Sequence, residues 1–303
     1  MNLNIGVVGA GGYWGKNYIR ILSEQGDVDL HICDLSEKSL DALKQGYKRV
    51  LTSTTNFESL FDVHLDGVVI CTPVTTHFKI ANAFILQGIP ILCEKAFTYT
   101  SGSANWLIDI AEDKNVPILV SHTYEYNSCV QHIKKLLDEK ALGDIYYVSM
   151  TRVGLSPIRQ DCNAFWDLGA HDVSMLINWF GMPQSVSASG NSYLQDGLHD
   201  VVFANLEFSN NIMAHIKCSW LNPVKRRNIT IVGSEKMLTF DDIQKEVIIY
   251  DKQGEYLQQI EYKEPLKEVV NDFVEVVKNN KKPLVDGIKG LSSSCFRGST
   301  KVT

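Results

Sequence analysis

The chain of 303 residues lacks several features that would place it in other classes of protein. No apolar run approaches the ~18–20 residues needed to cross a bilayer, and no cationic segment precedes an apolar one at the N-terminus, so neither a membrane span nor a secretory signal is expected. Basic residues never form a long block: Lys134-Lys135, Lys225-Arg226-Arg227 and Lys281-Lys282 are short and scattered in a chain of net charge −6. Binding to a nucleic-acid backbone therefore has little electrostatic support. The seven cysteines are an odd number without a CxxC pair or a His/Cys metal spacing, which argues against a disulfide framework and a structural metal. Several sit in apolar runs, such as Ile32-Cys33, Ile70-Cys71 and Leu92-Cys93, where a reduced thiol packs as a small hydrophobe. A cytoplasmic, reduced protein is expected. Internal repeats and low-complexity segments are also missing.

What is present is ordinary globular composition, 45% hydrophobic and 21% charged, in a length that suits two domains of ~150 residues. Near-continuous Val/Ile/Leu/Cys runs at 3–8, 28–33, 67–71, 89–93 and 116–121 read as strands buried on both faces. Helical spacing separates them, as at 18–23, 79–87 and 104–114. This alternation implies right-handed βαβ units and an α/β, doubly wound parallel sheet. Beyond about residue 143 the pattern changes to alternating segments at 145–153, 185–189, 201–208, 212–220, 228–232 and 246–250, with a helix near 165–179. Short links carrying turn residues predict a mostly antiparallel open sheet with helices on one face, an α+β domain. The expected division is a dinucleotide-binding domain over 1–122 and a substrate-binding and oligomerisation domain over 123–303.

The first strand runs into Gly9-Ala10-Gly11-Gly12-Tyr13-Trp14-Gly15. Glycines here permit a tight turn and let backbone N–H groups approach a pyrophosphate at a helix N-terminus. The context of strand, loop and helix opening the first βαβ unit strengthens the assignment, although Gly9, Gly11 and Gly15 are spaced GxGxxxG rather than GxGxxG. Gly9, Gly11, Gly12, Tyr13 and Trp14 are the candidate loop contacts. Asp34 ends the second strand about twenty residues on, where a carboxylate bonds the ribose hydroxyls of the adenosine and repels a 2′-phosphate, favouring NAD over NADP. The weaker alternative makes Asp34 or Ser36 the N-cap of the next helix.

Three later segments complete a pattern: Cys71-Thr72-Pro73 with His77, Cys93-Glu94-Lys95, and Trp166-Asp167-Leu168-Gly169-Ala170-His171-Asp172. Their order after the glycine loop resembles the glucose–fructose oxidoreductase, inositol dehydrogenase and MocA family of NAD(P)-dependent sugar oxidoreductases, over residues 3 to about 290. The resemblance implies a Rossmann cofactor domain, with Thr72, Pro73, His77, Glu94 and Lys95 beside the cofactor, and a homodimer or homotetramer formed through the second sheet. Ala96 replaces the proline usual after Glu-Lys. The segments from 121 to 167 are similar to enzymes that oxidise a UDP-linked N-acetylhexosamine or its uronate at C3 on the way to surface polysaccharides. Tyr124, Arg152, Arg159, Asn163 and Trp166 are then candidate substrate contacts.

The chemistry of the residues agrees. Lys95 ends a parallel strand, on the edge where open α/β sheets bind ligands. Asp167 and His171 are four residues apart, one helical turn. Oxidising a secondary alcohol removes a hydroxyl proton as hydride leaves, and histidine holds or releases a proton near neutrality. His171 is expected to transfer the proton, Lys95 to stabilise the alkoxide and Asp167 to support the charged histidine, with Lys95 and His171 serving one pocket. Taken singly, His171 reads as a helix histidine satisfied by Asp167, Lys95 as a surface lysine, Arg152 and Arg159 as ordinary ion pairs, and Tyr124 as core. The opposite direction, a ketoreductase on a nucleotide-linked keto-sugar, is the alternative, followed by an NAD-dependent glycosidase and a non-catalytic NAD sensor. Residues 290–303 show no helical stripe, where the family continues with an apolar helix, so a short, truncated or altered tail is expected.

Overall fold

The structure is a computed structural model that describes residues 2–155, 158–160 and 162–294. Two compact units divide it, residues 1–123 with 264–294 and residues 124–263. In the first, strands β1 (Leu3–Val8), β2 (Val28–Cys33), β3 (Val50–Thr54), β4 (Gly67–Ile70), β5 (Ile91–Glu94) and β6 (Ile118–Ser121) form one sheet in the order β3-β2-β1-β4-β5-β6. Every pairing is parallel. This is the doubly wound Rossmann order, with its switch point between β1 and β4. Helices α1 (Tyr13–Glu24), α2 (Glu37–Gly46), α3 (Val74–Leu86) and α4 (Ser101–Lys114) connect the strands. Ile5, Val7, Leu30, Ile32, Val69 and Leu92 have no exposed surface, which is why these strands read as unbroken apolar runs. Strand β3 has no such run. It is an edge strand whose Thr52, Ser53 and Thr54 are only half-buried, and it is missing from the sequence pattern for that reason.

The second unit is built on α5 (Ser128–Asp138), β7 (Ile145–Val153), a π-helical turn at Phe165–Gly169, and α6 (Ala170–Phe180). Seven further strands follow: β8 (Ser185–Asn191), β9 (Val201–Glu207), β10 (Met213–Ser219), β11 (Arg226–Gly233), β12 (Met237–Asp241), β13 (Glu246–Asp251) and β14 (Gly254–Leu257). The sheet order is β14-β13-β12-β11-β7-β10-β9-β8, antiparallel throughout except for β7 and β10. One face packs Val148, Met150, Ile216, Ile231 and Phe240 against Val130, Ile133, Val173 and Leu176 of α5 and α6. On the opposite face Met213, Tyr147, Val232, Met237 and Tyr250 stand in register as one row across five strands, and Met213 and Tyr147 are exposed. Strands β12 and β14 add to the segments read from the sequence.

The chain then returns to the first unit. Assigning all of 123–303 to the second domain is corrected here: α7 (Pro265–Asn279) and α8 (Gly287–Ser294) pack with the parallel sheet. The apolar stripe of α7, with Val269, Val270, Phe273 and Val276 buried, supplies the driving force. A Cβ on Gly67 would lie 2.8 Å from the Phe273 ring, so β4 and α7 touch closely. Lys278 pairs with Asp27 and Lys267 with Glu24 beside this contact. The segment before α8 lies along β6, where the Val120 N–H donates to Val285 O at 3.0 Å, and covers an otherwise open sheet edge. The tail beginning at Gly290 is therefore helical as far as Ser294, and 295–303 lies outside the described residues. Among the described residues no helix is long and apolar enough to cross a membrane.

Candidate active site

The glycine loop leaves β1 at the switch point, and its shape depends on missing Cβ atoms. Gly9 has φ +88°, and a Cβ there would meet Cys71 O at 2.8 Å. On Gly15 a Cβ would lie 2.2 Å from Gly9 O, and on Gly11 it would meet Ser39 and the Asp34 carboxylate at 2.7 and 3.0 Å. Gly12 is different, with only Gly9 O at 3.4 Å. It is the N-cap of α1 and the extra residue in the GxGxxxG spacing. Helix α1 thus begins at Tyr13, and the first N–H groups of its opening turn have no acceptor within the helix. Tyr13 and Trp14 are exposed there, ring centroids 5.2 Å apart.

Asp34 leans over the loop. Its Oδ2 accepts from the Gly11 N–H at 2.7 Å and its Oδ1 from the Ser36 N–H at 2.9 Å. Ser36, not Asp34, caps α2, accepting from the Ser39 N–H. The residues fit a dinucleotide: glycines let the loop pack tightly against β2 and β4, the opening turn of α1 presents N–H groups without intrahelical acceptors, and a carboxylate stands at the end of β2.

Beyond β4 and β5 lie the remaining candidates of this unit. Pro73 is the N-cap of α3 after Thr72. Glu94 and Lys95 end β5, and the Lys95–Ala96 peptide is cis although Ala96 is not a proline. His77 is 1% exposed; its Nε2 is 2.8 Å from Thr72 O and its Nδ1 is 2.9 Å from Ala96 O. Burial pushes its pKa down against the pull of those carbonyls. His77 therefore lies between the Thr72-Pro73 turn and the loop after Lys95 and contacts both.

Glu94 is also buried, and burial pushes its carboxyl up. Its Oε1 accepts from the Tyr18 hydroxyl at 2.7 Å, and its Oε2 from the Lys95 N–H at 3.1 Å. Tyr18 lies 2.7 Å from Ser121 Oγ as well, so one phenol on the glycine-loop helix joins the ends of β5 and β6. His122 follows β6, and burial first, then the Lys95 charge, pushes its pKa down to about 4.

In the second unit the expected single helix begins as the π turn, closed by the Ala170 N–H donating to Phe165 O. Such turns recur at functional sites. A Cβ on Gly169 would lie 2.9 Å from Cys218 Sγ, so the turn presses against β10. Asn163 Oδ1 accepts from the Trp166 N–H at 3.0 Å and fixes the approach to the turn. Asp167 is held on both oxygens, by Trp220 Nε1 at 3.2 Å and by the half-exposed Arg159 at 3.5 Å. His171 opens α6 with its ring centroid 4.8 Å from that of Tyr124.

Arg152, a candidate substrate contact, has its fork occupied within the protein. It is 4% exposed, and its Nε and NH2 donate to Asp172 at 2.8–3.2 Å while NH1 donates to the Tyr124 hydroxyl at 2.6 Å. The β7 alternation Val148, Met150, Arg152 carried this signal, because it puts Arg152 on the covered face, where a charge must be paired. Tyr18, Asp172, Trp220, Arg227 and Asp242 are site-supporting residues that the sequence reading left unassigned. Only Asp172, inside the quoted motif, had a local cue.

Comparisons with known proteins identify the family of the two domains. The family described as "Oxidoreductase family, NAD-binding Rossmann fold" matches residues 3–122, and the "GFO/IDH/MocA C-terminal domain" matches 130–239. An uncharacterized oxidoreductase of Escherichia coli is 29% identical over 59% of this chain, and the alignment spans about half, 53%, of that relative. The UDP-N-acetylglucosamine 3-dehydrogenase of Acidithiobacillus ferrooxidans is 22% identical over 75% of this chain and 74% of its own. Its solved structure superposes with a TM-score of 0.88 at 20% identity, covering 98% of this chain and 95% of that one. GenD2 from gentamicin A biosynthesis, solved in complex with NAD, gives a TM-score of 0.84 at 21% identity, over 98% and 95% of the two chains. With an NAD-binding Rossmann domain and the matching C-terminal domain, the chain belongs to the glucose–fructose oxidoreductase, inositol dehydrogenase and MocA family of oxidoreductases.

Proposed function

We propose that the protein is an NAD-dependent dehydrogenase of a secondary alcohol, C3, on a nucleotide-linked sugar such as UDP-N-acetylglucosamine or its uronate. The observation that carries the reading is Lys95 at the carboxyl edge of the parallel sheet. Its backbone is fixed by Glu94 and the loop after it by His77, and the edge is the one that carries the glycine cradle and Asp34. The activity named for the Acidithiobacillus relative supports the choice of sugar and carbon.

Bound NAD would supply the hydride acceptor. The cradle of Gly9, Gly11 and Gly12, with the opening turn of α1 at Tyr13 and Trp14, would hold its diphosphate, Asp34 the adenosine ribose, and Thr72 and Pro73 the nicotinamide side. The Asp34 carboxylate leaves a 2′-phosphate facing a like charge, so NAD is preferred to NADP. Lys95 positions the sugar hydroxyl and stabilises the alkoxide as its proton leaves. His171 takes that proton, and Asp167, already oriented by Trp220 and Arg159, favours the charged imidazole. Arg159, Asn163 and Trp166 contact the sugar nucleotide. The apolar row on the open face of the second sheet supports a homodimer or homotetramer, which light scattering after gel filtration would measure. The free cysteines suit a reduced cytoplasm.

The test is a panel of UDP- and dTDP-sugars with NAD, read at the absorbance of NADH. Net NADH with a UDP-N-acetylhexosamine or its uronate is the expected result, and His171→Asn and Lys95→Ala should each lower turnover at least about 100-fold. Microscopic reversibility makes the same site a ketoreductase when NADH and keto-sugar are supplied. Sugar release without net NADH would identify a glycosidase instead, and NAD binding with no turnover on any sugar a sensor.

A further inference from the structure

Five polar side chains meet behind His171, each from a different element. The Tyr124 hydroxyl donates to Asp242 Oδ2 at 2.6 Å and accepts from Arg152 NH1 at 2.6 Å and Arg227 NH1 at 3.2 Å. A phenolic oxygen has one proton and two lone pairs, so all three of its sites are in use. Arg152 also lies over the Tyr124 ring, 4.3 Å from its centroid, a cation–π contact. Arg152 closes on Asp172, and Arg227 on Asp242 at 3.4 Å. Two cations and two anions balance around a neutral phenol, whose pKa burial pushes up, with the nearby arginines opposing the shift and Asp242 adding to it.

The arrangement constrains His171 twice. Asp172, the next residue, anchors the first turn of α6 to β7 through Arg152, which fixes the rotation of the helix. The ring of His171 then packs at a 44° tilt against the ring of Tyr124, which cannot swing away without breaking three hydrogen bonds. The outer end of the clamp is Asp242, 12% exposed at its side chain, with its N–H donating to Arg227 O at 2.9 Å.

We infer that Asp242 and Arg227 are positioning residues for His171, acting through Tyr124, and that the Tyr124 hydroxyl serves this clamp rather than the sugar. The inference rests on the reading of His171 as the proton-transfer group. Loosening the clamp lowers kcat about tenfold and leaves KM nearly unchanged, because binding contacts are kept.

The experiment uses the full chain labelled with 13C-histidine. The His171 ring resonance is assigned by its loss in His171→Asn, then followed in Asp242→Asn, Arg227→Lys and Tyr124→Phe, with NAD affinity and thermal midpoint recorded to exclude global damage. The expected result is a displaced or broadened His171 signal in each variant, with partial return in Asp242→Glu. In turnover, Asp242→Asn should add no loss on top of His171→Asn, since coupled residues are not additive. A His171 signal that stays in place in folded Asp242→Asn and Tyr124→Phe proteins overturns the clamp. Full turnover by His171→Asn would instead overturn the proposed function, and the resonance would still report whether the clamp exists.

Discussion

The two units build their candidate sites from different materials. In the first, backbone does most of it: the glycine cradle, the opening turn of α1 and the carbonyls held by His77. In the second, side chains do it: Arg152 with Asp172, Tyr124 with Asp242 and Arg227, Trp220 with Asp167. A backbone site is sensitive to added volume, whereas a buried ionic site is sensitive to lost charge. The difference predicts how each unit fails.

The largest effect is expected in the second unit. Arg152→Ala leaves Asp172 buried and unpaired, and should cost about 3–5 kcal/mol of unfolding free energy in urea titrations. Replacing both partners with apolar residues of similar volume should restore much of that stability while leaving His171 less well placed. A small effect of the single substitution would break the comparison.

Next comes a pH effect in the first unit. An unfolded histidine takes up its proton near pH 6.5, but His122 does so only at about 4. The unfolded chain therefore binds this proton first as pH falls. The contribution of His122 to stability is full above about pH 6.5 and lost toward pH 4, about 3 kcal/mol at most. Urea titrations at a series of pH values should show that fall, and His122→Gln should flatten it.

Smaller still, Gly15→Ala forces a Cβ against Gly9 O and should cost about 1–3 kcal/mol, with weaker NAD binding by calorimetry. The same change at Gly12, which has room, should cost less, and equal costs would contradict the cradle geometry. Ser36→Ala removes the cap of α2 and should lower stability by about 1 kcal/mol, with NAD affinity nearly kept because Asp34, not Ser36, faces the loop.

Legibility followed the same division. The parallel strands were visible because strands buried on both faces have no polar positions to interrupt them, and β3 was not, because an edge strand rich in Thr and Ser carries no such signal. The glycine loop was readable from context, while the role of Gly12 needed the start of α1. Lys95, Asp167 and His171 stood out by motif order. Tyr18, Trp220, Arg227 and Asp242 did not, since each acquires its meaning from a partner 15 to 118 residues away. His77 and Arg152 were recognised as notable, but the protein groups they bind were not. Alternation along β7 would have corrected Arg152, but nothing local marks a histidine that bridges two loops.

The amino-acid order alone determined the βαβ alternation, the change to antiparallel strands and the residue types able to handle a dinucleotide and a proton, because periodicity and loop chemistry are local. Tertiary structure decided that the last two described helices return to the first unit, that Arg152 is an internal counter-ion and that a phenol clamped by four charges stands behind His171. Burial and pairing depend on which distant segments meet, and that is settled only when apolar surfaces close over them.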